Sequence, residues 1–103
     1  MQKPKINIEG KIYEAQEPRG RAWRMLAALD ENKSEIPNVE FIEKHAEVIV
    51  QFFPNLSVEE ILDNMTIPDI IKSYYDCYKF ASAIMYSKLK PLDSTEGVEE
   101  AER

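Results

Sequence analysis

The 103-residue chain contains one cysteine, Cys77, and one histidine, His45, and that scarcity removes several chemistries at once. A disulfide framework is excluded. A zinc site built by this chain alone would lack the three or four nitrogen and sulfur ligands that such sites use, unless carboxylates replaced them. Glycine is also scarce: Gly10, Gly20 and Gly97 stand isolated, so no glycine-rich loop is available to cradle a phosphate. No apolar run approaches the roughly 20 residues needed to span a bilayer. The first residues, Met1 to Lys5, lead into an alternating segment and not into the apolar core of a secretory signal. The expectation is an intracellular protein with no membrane association.

What is present is an ordinary globular composition, 44% hydrophobic and 31% charged, enough for one small domain with a packed core. The net charge of −6 is unevenly spread. Residues 1–24 carry six Lys and Arg against three Glu, residues 25–90 carry six basic against eleven acidic side chains, and residues 91–103 carry one base against five acids. A basic head therefore precedes an acidic body and a strongly acidic end.

Hydrophobic periodicity divides the chain into elements. Ile6, Ile8, Ile12 and Ala15 alternate with polar residues around Glu9-Gly10, which predicts a β-hairpin with one isoleucine face and a glycine supplying positive φ at the turn. Two strands alone are marginal in water, so this face must lie on helices or on a neighbouring subunit. Ala22, Met25, Leu26 and Leu29 predict a helix beginning near Pro18, with Trp23 off the centre of its stripe. Phe41, Ile42, His45, Ala46, Ile49, Phe52 and Phe53 predict a second helix, stopped by Pro54. Two similar passages follow, Asn55-Leu-Ser-Val-Glu-Glu and Asn64-Met-Thr-Ile-Pro-Asp. Each places a hydroxyl three residues before an acid, the pattern of a helix start, with Ser57 or Thr66 as cap. A short helix thus leads into a long one over residues 67–90, striped by Ile67, Ile70, Ile71, Tyr74, Tyr78, Ala81, Ile84, Met85 and Leu89. The fold class is mainly α (α+β): an N-terminal β-hairpin followed by about four helices, the last one long, forming a single domain over residues 1–92. Residues 93–103 are expected to be a disordered acidic tail.

No constellation of catalytic residues emerges, so the reading is of a protein that is not an enzyme, with no metal and no cofactor. His45 falls on an apolar helix face and reads as a half-buried, hydrogen-bonded histidine. Cys77 has no second thiol or histidine at a fixed spacing and reads as structural. Asp30-Glu-Asn-Lys-Ser-Glu35 begins like a calcium loop but has Glu35 where the sharp turn needs glycine and Phe41 where a bidentate glutamate belongs. The sequons at Asn55 and Asn64 are read as helix caps. Arg19, Arg21 and Arg24, with Trp23 among them, form the one basic cluster, and cations there oppose the positive end of a helix dipole. An acidic group, in the same chain or on a neighbouring copy, suits that cluster better than nucleic acid, because the acidic remainder of the chain repels phosphate. Tyr75, Phe80 and Tyr86 depart from the stripe of the long helix and are candidates for an outward aromatic face.

The order of these parts resembles the tail assembly chaperones of long-tailed bacteriophages and prophages of Gram-positive bacteria. The likeness rests on the strand pair Lys5-Ile-Asn-Ile-Glu-Gly-Lys-Ile-Tyr13, the helix around Arg21-Ala-Trp-Arg-Met-Leu26, and Val48-Ile-Val-Gln-Phe-Phe53. Leu56-Ser-Val-Glu-Glu-Ile-Leu62 and the final long helix complete it. The resemblance implies a non-enzymatic chaperone in the cytoplasm of the bacterial host, absent from the mature virion. Such a protein binds and solubilises the tape measure protein and helps recruit tail tube subunits during tail morphogenesis, acting as a homo-oligomer. On this expectation Phe52, Phe53, Tyr75, Phe80 and Tyr86 make the partner contacts, and Arg19, Arg21 and Arg24 serve self-association. The alternative is a small phage or prophage regulator that binds or mimics nucleic acid.

Overall fold

A computed structural model describes residues 3–93, with side chains over residues 3–87. Strands β1 (Lys5–Ile8) and β2 (Lys11–Glu14) precede helices α1 (Gly20–Asn32), α2 (Asn38–Ile49), α3 (Val58–Asn64) and α4 (Ile67–Asp93), with a turn of 3₁₀ helix at Lys33–Glu35. The chain is therefore mostly helical, with an antiparallel hairpin in front of four helices, the last of them long.

The hairpin turn sets the register. Glu9 and Gly10 both take positive φ, 52° and 85°, the backbone of a two-residue turn whose twist matches that of the strands. The Gly10 N–H donates to Asn7 Oδ1 at 3.0 Å. This turn pairs Ile6 with Tyr13 and Asn7 with Ile12. Opposed residues share a face, so Ile6, Ile8, Tyr13 and Ala15 point one way and Ile12 the other. The single isoleucine face therefore needs correcting: Ile12 is 57% exposed while Ile6 is buried. Ala15 N–H donates to Pro4 O, closing the open end of the hairpin, and Gln16 N–H donates to Phe52 O, anchoring the hairpin to the turn after α2, both at 2.9 Å.

Helix α2 ends earlier than the periodicity predicts. Pro54 disfavours helical backbone at the residue before it, and the chain tightens from Val50 onward. Gln51 N–H reaches Val48 O, and Phe52 N–H reaches Ile49 O at 2.9 Å. These turns swing both Phe52 and Phe53 inward, to 0% and 2% exposure. Next, α3 opens on a complete capping box. Ser57 N–H donates to Glu60 Oε1 at 2.9 Å, and Glu60 N–H donates to Ser57 Oγ at 3.1 Å. The second copy of that pattern is looser, with Asp69 N–H donating to Thr66 Oγ1 at 3.3 Å.

Helix α4 is 27 residues long, about 40 Å at 1.5 Å per residue, and its contact with α2 is the most extensive between helices. Expected to finish at Lys90, it continues through Pro91 to Asp93. A proline removes one N–H donor but keeps a helical φ, so a final turn survives it. Residues 94–103, most of the expected acidic tail, lie outside the described residues.

The core gathers Ile6, Ala22, Leu26, Leu29, Ala46, Val48 and Ile49 with Phe52, Phe53, Leu56, Ile61, Ile70, Tyr74, Cys77, Phe80 and Ala81. His45, expected to be half-buried, is fully buried, with Nδ1 2.7 Å from the carbonyl oxygen of Phe41, to which it donates. Its ring lies between those of Phe41 and Tyr74, with centroids 4.5 and 4.6 Å away.

Candidate functional site

Successive helical residues are rotated by about 100°, and α4 consequently shows three sectors. The first, Ile70, Ser73, Tyr74, Cys77, Phe80 and Ala81, is buried in the core. The second holds Ile71, Tyr75, Tyr78, Ser82, Met85 and Tyr86, all exposed or partly so. The third, polar, holds Lys72, Asp76 and Lys79.

The second sector is an apolar and aromatic face outside the buried core. Tyr75 is 48% and Tyr86 74% exposed. The spacing of Ile71, Tyr75, Tyr78, Ser82 and Met85 alternates four and three residues, the seam by which one helix receives another. Tyr75 is steadied on both sides. Its ring meets Tyr74 edge-on with centroids 5.6 Å apart, and Lys33 Nζ sits 5.7 Å from its centroid.

Three residues expected to meet a partner do not belong to this face. Phe52, Phe53 and Phe80 are core residues, and the Phe52 and Phe80 rings pack on each other with centroids 6.5 Å apart. Periodicity counted Met85 among the core and Phe80 outside it, because two adjacent apolar sectors on one helix cannot be ranked by spacing alone; Tyr78, also counted with the core, is partly buried against it. The burial of Phe80 turns the inward sector toward the Lys72–Lys79 side, leaving Tyr75 and Tyr86 outward.

Burial also governs the two titrating groups of the core. The Tyr74 phenol is pushed up to about 12 by desolvation first and then by the charge of Asp30, and its hydroxyl faces Leu26 O at 3.5 Å. Burial pushes the Cys77 thiol well above its ordinary range. Both are neutral at physiological pH, and a neutral buried thiol is a poor nucleophile.

Arg19, Arg21 and Arg24 are all exposed. Arg19 is the N-cap residue of α1, which has no side-chain cap and no acid in its first turn. Arg19 and Arg21 border an open hollow of about 380 Å³ shared with Gln51 and Pro54. Among the described residues the ion pairs are Lys33–Asp30, Lys44–Glu47 and Lys72–Asp76, none involving these arginines.

A second basic feature was not legible in the sequence. Lys3 and Lys5 from the hairpin side meet Lys72 and Lys79 from α4 around a cleft of about 480 Å³, with Asp76 on its wall and Phe80 against it. These lysines are far apart in the chain, and only the packing of β1 beside α4 unites them.

Among the described residues no group of three or more His, Cys, Asp or Glu is placed to hold a metal ion. None of their helices is long and apolar enough to cross a membrane. No protein-family model, curated protein or solved structure matches the chain.

Proposed function

We propose that the protein is a non-enzymatic phage tail assembly chaperone. In this reading it binds the tape measure protein, keeps it soluble and helps recruit tail tube subunits in the cytoplasm of the bacterial host, without remaining in the mature virion. The observation that carries the reading is the second sector of α4, where Ile71, Tyr75, Tyr78, Met85 and Tyr86 offer a seam for an apolar helix beside a face already committed to the core. A docked helix that covers about 100 Å² of each outward tyrosine gains about 2.5 kcal/mol per ring, before the entropy of association is subtracted. Tyrosine suits such a face, since its hydroxyl stays wet while the ring is covered. Arg19, Arg21 and Arg24 pair with acidic surface on a neighbouring copy, which makes the working form a homo-oligomer.

Co-expression with the tape measure protein of the same gene cluster tests this. That protein is expected in the soluble fraction only when this chain is present, and equal solubility without it refutes the chaperone reading. The three exposed arginines also favour a second reading, a small regulator that binds nucleic acid. DNA and RNA binding measured at two salt concentrations decides between them, because phosphate contacts weaken steeply with salt.

A further inference from the structure

We infer that the lysine cleft between β1 and α4 is the docking site for the acidic segment 94–103 of a second copy of this chain. The inference stands on different residues from the chaperone reading and survives its failure. The cleft presents Lys3, Lys5, Lys72 and Lys79 against a single carboxylate, Asp76. That aspartate is already engaged, with Lys72 Nζ 3.0 Å from its Oδ2. Segment 94–103 carries Glu96, Glu99, Glu100 and Glu102 against Arg103. Four cations with one anion thus face four anions with one cation.

Reach decides whose segment enters. Lys79 lies 14 residues before Asp93 on a continuous helix, about 21 Å along its axis, and Lys72 about 31 Å. Glu99 and Glu100 follow Asp93 by six and seven residues, about 20–23 Å when fully extended. A random-coil linker of six or seven residues spans only about 14 Å on average. Folding back in the same chain would need the segment drawn out to its full length, for Glu99 or Glu100 to touch Lys79 and for Glu102, nine residues after Asp93 and so about 30–32 Å away at most, to touch Lys72. A second copy has no such tether. Because the cleft and the segment are different surfaces, the contact is head-to-tail, and copies join into a ring or an open chain.

Two charge-reversed full-length proteins test this: one with Lys72→Glu and Lys79→Glu, the other with Glu99→Lys and Glu100→Lys. The lysines are exposed, and unchanged far-ultraviolet circular dichroism verifies that each variant folds. By sedimentation at low ionic strength each alone is expected to self-associate about tenfold more weakly than the parent or worse. An equal mixture is expected to associate again, because each reversed cleft then meets a reversed segment. Added salt should dissolve the parent's assemblies, as screening demands. If either variant associates like the parent, or if the mixture stays as weak as its components, the inference is overturned. Carbodiimide cross-linking of a mixture of isotopically heavy and light parent chains gives a second reading. Heavy-to-light links between these glutamates and lysines support it, and links confined to single chains refute it.

Discussion

Replacing Phe52 by alanine separates the core from the outward face of this protein most sharply. Phe52 is 0% exposed, and its ring packs against Phe80. Its carbonyl also receives the Gln16 N–H that ties the hairpin to the helices. Deleting a buried phenyl group removes its transfer free energy and leaves a cavity, together about 3–5 kcal/mol. A domain of about ninety residues has roughly 5–14 kcal/mol of stability in all, so Phe52→Ala forfeits a large share of it. At about 4–8 °C per kcal/mol for a domain of this size, Tm should fall by at least about 12 °C, with a matching drop in the urea midpoint. Tyr86, 74% exposed, supplies the control, since Tyr86→Ala should stay within about 0.5 kcal/mol of the parent. If Phe52→Ala melts within a few degrees of the parent, or Tyr86→Ala costs as much, the division of aromatic residues into core and outward sector is wrong.

Three further outcomes follow from local geometry. Ser57→Ala breaks the capping box of α3 and should cost about 1 kcal/mol, whereas Thr66→Ala, at the longer 3.3 Å bond, should cost less; urea titration compares the two. Glu9 holds a positive φ without being glycine, and Glu9→Asn should stabilise the hairpin by several tenths of a kcal/mol, with no change or a loss counting against the turn. Alkaline pH should destabilise the fold. Tyr74 keeps its proton up to about pH 12 in the native state, whereas the phenol ordinarily loses it near 10, so this contribution is whole below pH 10 and is lost as pH rises from 10 through 12. Cys77 adds a loss of the same sign from its ordinary value of 9.0 upward. Tyr74→Phe should flatten the fall of the urea midpoint between pH 10 and 12, and an unchanged slope would refute the assignment.

How far the sequence carries the fold can be judged from particular residues. The helices announce themselves by period and by the caps at Ser57 and Thr66, while His45, read as half-buried, and Cys77, read as structural, both lie in the core. Ile12 is misread since face assignment in a hairpin depends on turn length, and a two-residue turn at Glu9-Gly10 sends it outward. Phe52 and Phe53 fit a helical stripe, yet Pro54 forces tight turns that bury them by another route. Phe80 is lost among two adjacent apolar sectors, of which only tertiary packing chooses the inner. Of the expected aromatic contacts, Tyr75 and Tyr86 lie on the outward face. The lysine cleft was invisible because its residues come from opposite ends of the chain, and no local pattern encodes their meeting.

The aromatic sector of α4 is the centre of the functional proposal, and the most direct measurement acts on its two outward rings. Full-length protein with Tyr75→Ser and Tyr86→Ser, exchanges that alter the exposed face and spare the buried Phe52, Phe53 and Phe80, is co-expressed with the tape measure protein. The fraction of that protein recovered in soluble form is then compared with the parent. The account predicts that the variant folds and that soluble recovery falls toward the level seen without this chain. Full recovery with both tyrosines replaced would contradict it.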